Sequence, residues 1–228
     1  MANLKSVLKE IISRTVLRKF LFPRWRYNFS AVDLLVICEC INQVKDVKGA
    51  LVEVGCEYGE TTLFLNNYLN EAGISKSYVC VDTFNGFTER DLDYEVNIRL
   101  KTRANLLGFR NNSKNWFLKT MRDAGYSYVQ VFQADAATFD FTTISPFCFA
   151  LIDIDLFKPI QACLPAVYEA LTPGGIILVD DCDPSDANYD GAFYAYVDFV
   201  ESRGLPIDVL GRKLGIIRKL ETFSHGSK

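Results

Sequence analysis

The sequence predicts an α/β fold, a mostly parallel sheet with helices on both faces and an N-terminal helical extension. Three observations predict it. Short, almost wholly apolar runs recur between residues 50 and 181, separated by helical periodicity or polar stretches. Strands covered on both faces read as continuous apolar runs, as these do, and not as alternating ones. No internal repeat, low-complexity segment or linker divides the 228 residues, about half of them apolar, so one core is expected.

Leu4, Val7, Leu8, Ile11, Ile12 and Val16 recur at helical spacing, so residues 3–20 read as an amphipathic helix that Pro23 ends. Ser30 is placed to cap a second helix running to about Val44. ALVEVG (50–55) is the first strand, Thr61–Leu69 a helix, and SYVCVD (77–82) the second strand. Residues 83–112 fit no simple unit, and 86–112 are expected to form part of a lid. Ser113 caps a helix that Gly125 ends. YVQVFQAD (128–135) and FCFALIDID (147–155) are the third and fourth strands. A helix from Pro159 to Leu171 stops at Pro173-Gly174-Gly175, and IILVDD (176–181) is the fifth strand. A helix at 192–203 and a closing hairpin, PIDVL and LGIIRK around Gly211-Arg212-Lys213, complete the chain. The expected organisation is a helical lid or extension at 1–45, a main α/β domain at 46–220 and a tail at 221–228.

Composition removes several function classes. The seven cysteines form no C-x-x-C pair and the single histidine is His225, so zinc held at Cys/His spacing is not expected. Most of the cysteines lie in apolar runs and read as buried small hydrophobes in a reducing compartment. No apolar run approaches a membrane span, and no secretory h-region opens the chain, so a cytoplasmic location is expected. Net charge is −3, but residues 1–26 hold seven Lys/Arg against one acid, leaving −9 on the remainder. An acidic body argues against nucleic acid as partner. The basic N-terminal helix is expected to pack its apolar face on its own domain or on a partner subunit, in preference to an anionic membrane.

Ligands of such sheets bind at the carboxyl ends of the strands. The first strand is followed by Glu53-Val-Gly55-Cys-Glu57-Tyr58-Gly59-Glu60-Thr61. Two glycines four apart let a backbone pass close to a ligand, although a tight turn alone would also use them. Glu57 and Glu60 would repel a pyrophosphate, which wants bare amides, whereas a cationic sulfonium suits them. Asp82, at the end of the second strand, is placed to accept ribose hydroxyls, and Asp135, after the third, to accept from an adenine amino group. Together these ends describe an adenosine-shaped site.

The fourth strand runs into Asp153-Ile-Asp155 and the fifth into Asp180-Asp181-Cys-Asp183. Five carboxylates along one sheet edge raise each other's pKa unless a cation neutralises them. Ligands that are all oxygen suit Mg²⁺, which keeps several waters and leaves room for substrate oxygens.

These residues resemble a known family. The Glu53-x-Gly55-x-x-x-Gly59 turn is similar to that of class I S-adenosylmethionine-dependent methyltransferases. Asp82-Thr83-Phe84-x-Gly86, and the run Asp153-x-Asp155-Leu156-Phe157 … Pro173-Gly174-Gly175 … Asp180-Asp181, resemble more narrowly the macrocin O-methyltransferase (TylF-like) family, over roughly residues 30–220. The resemblance implies a Rossmann-like seven-stranded sheet and Mg²⁺-dependent methylation of a hydroxyl on a small molecule, often a natural-product sugar. It implies S-adenosylmethionine, with S-adenosylhomocysteine as product, held by Glu53, Gly55, Cys56, Tyr58, Gly59, Thr61, Asp82, Thr83, Phe84, Asp135 and Ala136. It implies Mg²⁺ on Asp153, Asp180 and Asp181, and, by family likeness, a homodimer. The chain departs from the pattern at Phe157, where family members carry Tyr, at Lys158-Pro159-Ile160, where they carry Glu-Ser-Thr, and at Glu60, where they carry Gly. Lys158 stands further from Asp153 than the lysine of catechol-type enzymes does from its first metal ligand, so Asp153 is the expected proton acceptor. Three rivals remain at this point: a cation-independent methyltransferase, a nicotinamide oxidoreductase disfavoured by Glu57 and Glu60, and a non-catalytic adenosine-binding module.

Overall fold

A computed structural model of the chain describes residues 4–15 and 28–220. Seven strands form one sheet: β1 (Ala50–Val54), β2 (Tyr78–Asp82), β3 (Gln130–Gln133), β4 (Phe147–Ile152), β5 (Leu171–Val179), β6 (Val209–Leu210) and β7 (Leu214–Arg218). Their spatial order is β3-β2-β1-β4-β5-β7-β6. β1 to β5 are parallel, and the β6–β7 hairpin returns antiparallel beside β5. The order reverses between β1 and β4, where Val54 lies beside Ile152, and that switch point opens a crevice at the strand ends.

Successive side chains of a strand point to opposite faces, and the sheet builds two cores on that rule. Leu51, Cys80, Leu151, Leu178 and Ile216 face α2 (Ala31–Gln43), α3 (Glu60–Glu71) and α5 (Lys114–Asp123). Val52, Val54, Val81, Ile152, Ile177 and Val179 face α6 (Phe157–Ala170) and α7 (Gly191–Ser202). All seven cysteines are buried and unbonded to one another, as expected of small hydrophobes. Ser30 and Ser113 cap α2 and α5 as the sequence predicts, each hydroxyl accepting from an N–H three residues on.

Differences from expectation are local. Residues 83–112 contain α4 (Glu89–Asn97) and a 3₁₀ turn at Arg103–Leu106. Leu92 is the one buried aliphatic of α4, so the periodicity that marks a packed helix is missing there. β5 begins at Leu171, which pairs with Phe147, and the next paired residues are Phe149 and Ile176, so Pro173-Gly174-Gly175 lie within an irregular strand. Of the N-terminal helix, α1 spans Leu4–Ser13; Val16–Phe20 and Pro23 lie outside the described residues, as do His225 and the tail. Val7, Leu8 and Ile11 of α1 are exposed among the described residues. No helix among the described residues is long and apolar enough to cross a membrane.

Candidate active site

The carboxyl ends of β1, β2, β4 and β5 open onto one cleft of about 380 Å³, lined also by residues after β3. Its lining brings together Glu53, Gly55, Cys56, Tyr58, Thr61, Asp82, Thr83, Asp135, Ala136, Asp153, Asp180 and Asp181. A non-glycine residue adopts a left-handed φ at each of four turns: Glu57 (45°), Phe84 (51°), Asp155 (58°) and Asp181 (55°). Such backbone is held against its local preference by the surrounding structure and concentrates at functional sites. Eleven lining residues are acids and one, Lys213, is a base. That charge suits a cationic ligand and repels a pyrophosphate.

Two expected residues do not line the cleft. Phe84 turns into the core, 5.6 Å from the Phe117 ring centroid, because its left-handed backbone directs an apolar side chain away from the polar opening. Gly59 has a left-handed φ of +87°, and a Cβ there would lie 2.8 Å from Met121 Cε on α5. Gly55 is tighter still. Its φ is +86°, and a Cβ would come within 1.8 Å of the Asp153 carbonyl oxygen, so it lets β4's end pass beside β1's.

The remaining candidates carry structural bonds of their own. Asp82 Oδ2 accepts the N–H groups of Cys56 (2.8 Å) and Glu57 (2.9 Å), and Oδ1 accepts from Phe84 (2.6 Å), so this carboxylate clamps the β1 turn to the β2 turn. Asp135 accepts from the Ala137 N–H and from Arg90 Nη2 at 3.2 Å. Glu53 is buried and accepts from the Thr62 (2.6 Å) and Tyr78 (2.7 Å) hydroxyls. Burial pushes its pKa up to about 7, against the opposing pull of those hydroxyls.

At the other end of the cleft, carboxylate oxygens of Asp153, Asp155 and Asp181 lie within 4.8 Å of one another. Burial, then Asp180, Asp155 and Asp181, raise the Asp153 pKa well above the usual range. Burial, then Asp181, pushes Asp180 up to about 7, against the pull of the Lys213 ammonium. Lys213, from the β6–β7 turn, donates to Asp180 Oδ2 at 2.8 Å and Asp181 Oδ1 at 2.6 Å. In the same cleft, Phe109 makes T-shaped ring contacts with Phe87 and Tyr189, with centroids 5.3 and 6.5 Å apart. Lys158 turns away, its ammonium 4.6 Å from the Tyr94 ring centroid and bonded to Gln161.

The model of the macrocin-O-methyltransferase (TylF) family matches residues 32–210. The chain belongs to this family. It is therefore an O-methyltransferase, which removes the oxidoreductase and the non-catalytic module from the rivals. A search by sequence against curated proteins finds no match. Among solved structures the fold is shared with the O-methyltransferase NovP (17% identity, TM-score 0.69, covering 83% of this chain and 80% of that one). It is shared too with the calicheamicin methyltransferase CalS11 (17%, 0.63, 96% and 94%). An O-methyltransferase from Bacillus cereus in complex with S-adenosylhomocysteine is a third (14%, 0.50, 92% and 95%).

In this methyltransferase the donor set fits a hard divalent cation. All ligand atoms are carboxylate oxygens, Lys213 offsets one charge among four, and Asp180 Oδ1 is buried with no hydrogen-bond partner. The three carboxylates that the structure brings within reach of one ion, and that would hold it, are Asp153, Asp155 and Asp181; Asp180, of the expected set, instead pairs with Lys213 through Oδ2. Lys213 was missed in the sequence, where it reads only as a turn residue. The expected hairpin held a usable signal: a strand returning antiparallel to β5 places its leading turn at the acidic end of β5.

Proposed function

We propose that the chain transfers a methyl group from S-adenosylmethionine to a hydroxyl of a small molecule, a natural-product sugar or similar polyol, with Mg²⁺ held by Asp153, Asp155 and Asp181. The observation that carries the reading is the position of the acidic cluster at the β4 and β5 ends, in the same cleft as the β1 and β2 turns. The cofactor's chemistry is an electrophilic methyl on a sulfonium leaving group, and a divalent cation contributes Lewis acidity that lowers an alcohol's pKa. The chain must then bind, orient, take up a proton and exclude water.

Glu53, Gly55, Cys56, Tyr58 and Thr61 with Asp82, Thr83, Asp135 and Ala136 form the cofactor half; Phe84 and Gly59 support it from behind. Asp153, at the end of β4, accepts the acceptor's proton. Phe87, Phe109 and Tyr189 offer apolar faces on which a sugar ring stacks. One solved neighbour, CalS11, is described as a TDP-rhamnose 3′-O-methyltransferase, which supports a sugar acceptor. Residues 46–220 would be the catalytic domain and 1–45 an extension whose exposed α1 face meets a second subunit.

Incubation with S-adenosylmethionine, Mg²⁺ and a panel of glycosides and polyols, read by mass spectrometry, should show acceptors gaining one CH₂ equivalent. Methylation at nitrogen or carbon alone would sink the hydroxyl assignment. A cation-independent version of the same reaction is the second reading, favoured by the Lys213 ammonium already seated on Asp180 and Asp181.

A further inference from the structure

The β6–β7 turn is built to aim Lys213. The Arg212 N–H donates to Asp33 Oδ1 at 2.8 Å, across 179 positions of sequence, and the Ser30 hydroxyl donates to Asp33 Oδ2 at 2.6 Å. Asp33 is buried at the start of α2. A Cβ on Gly211 would stand 2.5 Å from Asp33 Oδ1, so the turn can approach only with glycine there. The Lys213 carbonyl accepts the Cys182 N–H at 2.8 Å, and the Phe29 ring centroid lies 5.5 Å from the ammonium. A solvated loop lysine has no such mounting.

The ammonium takes one oxygen of Asp180 and one of Asp181, and it leaves Asp180 Oδ1 buried without a partner. We propose that Lys213 is a positioning residue of the acidic cluster: it orients Asp180 and Asp181 and keeps the site folded before a divalent cation arrives, while weakening that cation's affinity. This rests on the Mg²⁺ reading above. Two effects of removing the ammonium oppose each other. Freed carboxylate rotamers disfavour cation binding, and loss of a like charge favours it. Charge repulsion through shared, desolvated carboxylates is the larger of the two, because rotamer freedom in two short side chains is small.

The test titrates Mg²⁺ alone into wild type, Lys213→Met and Lys213→Arg by calorimetry, with thermal melts in EDTA and in saturating Mg²⁺. Lys213→Met should bind Mg²⁺ about 5-fold tighter or better. It should also melt several degrees lower in EDTA, and gain more from Mg²⁺ than wild type does. Lys213→Arg should retain the wild-type affinity within about 3-fold, since it keeps the charge. A purely structural role for Lys213 predicts weaker binding in Lys213→Met. Mg²⁺ binding by wild type with unchanged or weaker binding by Lys213→Met therefore overturns the proposal and leaves the metal reading standing. No Mg²⁺ binding by either protein overturns both. If Lys213→Met does not fold even with Mg²⁺, Asp33→Ala, which keeps the lysine and removes the acceptor that holds its turn, should shift affinity in the same direction, and an unchanged value there is equally fatal.

Discussion

Glu95 Oε1 accepts the backbone N–H of Phe157 at 2.9 Å, so a side chain of α4 caps the first turn of α6. Leu156, at the N-cap position, offers no side-chain acceptor, and the first N–H groups of a helix otherwise lack partners. A carboxylate there also meets the positive end of the helix. Glu95 Oε2 accepts from Arg99 at 2.8 Å, and Arg99 continues to Asp190 at 2.6 Å, where Lys101 also pairs at 2.7 Å. The segment over the cleft is thereby tied to the start of α6, two residues beyond Asp155, and to Asp190 at the start of α7.

Glu95→Ala is expected to cost about 3 kcal/mol or more, because it leaves Arg99 without its buried partner and the Phe157 N–H unsatisfied. Glu95→Gln keeps a carbonyl acceptor for that N–H and should cost roughly half as much. Urea unfolding measures both; equal, small losses would show that the network contributes little.

Glu53 gives the fold a pH dependence. Its folded pKa, about 7, lies above the usual 4.5, so the folded chain holds a proton that the unfolded chain releases. The associated stability is complete below about pH 4.5 and is lost as pH rises through 7. Thermal melts should therefore show wild type losing more stability between pH 5 and 8 than Glu53→Gln does. Parallel curves for the two proteins would mean that Glu53 is ionised in the fold at the lower pH.

Gly55 and Gly59 separate by the same kind of measurement. Gly55→Ala meets backbone, the Asp153 carbonyl, and should destabilise by about 4 kcal/mol or prevent folding. Gly59→Ala meets the ends of Met121 and Phe117, which can yield, and should be milder by about 2 kcal/mol. A reversed order would argue that Gly59, and not Gly55, carries the tighter approach.

Most of this architecture was legible because its signals are local. The apolar runs of β1, β2, β4 and β5 announce buried parallel strands, and Ser30 and Ser113 announce their helices. The acids after β4 and β5 were visible because a charged pair directly after a buried run has few places to go. What was hidden depends on pairing across the chain. Glu95 and Arg99 stabilise α4 by charge, and a charged helix leaves no apolar stripe. Lys213 acquires its meaning from Asp33 and Asp180, both distant in sequence. The inward turn of the Phe84 ring was hidden too, because it follows from a left-handed backbone and from Phe117, which is distant in sequence.

Asp82 was expected to meet the ribose, and it already receives three backbone N–H groups from two turns. Asp82→Ala should weaken S-adenosylhomocysteine binding by about 10-fold or more, since charge-assisted bonds are worth ~1.5–3 kcal/mol each. It should also lower the melting temperature without ligand, because the clamp between turns is lost. Calorimetric affinity equal to wild type would remove Asp82 from the cofactor half.

The last prediction joins the cation to the proton. Among the described residues no histidine lines the cleft and Lys158 is held over Tyr94, which leaves the proposed role of base to a carboxylate, Asp153. Even a carboxylate with a raised pKa is a weak base toward a free alcohol. Deprotonation then requires a more acidic hydroxyl, which is what Lewis acidity at the same carboxylates provides. Chelation by EDTA should therefore abolish turnover while leaving S-adenosylhomocysteine affinity nearly unchanged, because the Asp82 and Glu53 turns lie at other strand ends. Asp153→Asn removes a base and a ligand charge together and should lower kcat by roughly 100-fold or more. Asp180→Asn removes a neighbouring charge that Lys213 already shares, and should cost only about 10-fold and respond to added Mg²⁺. Substantial turnover in EDTA, or in Asp153→Asn at saturating Mg²⁺, would defeat this mechanism and leave the cation-independent reaction, with Lys213 as the resident charge, as the one the geometry supports.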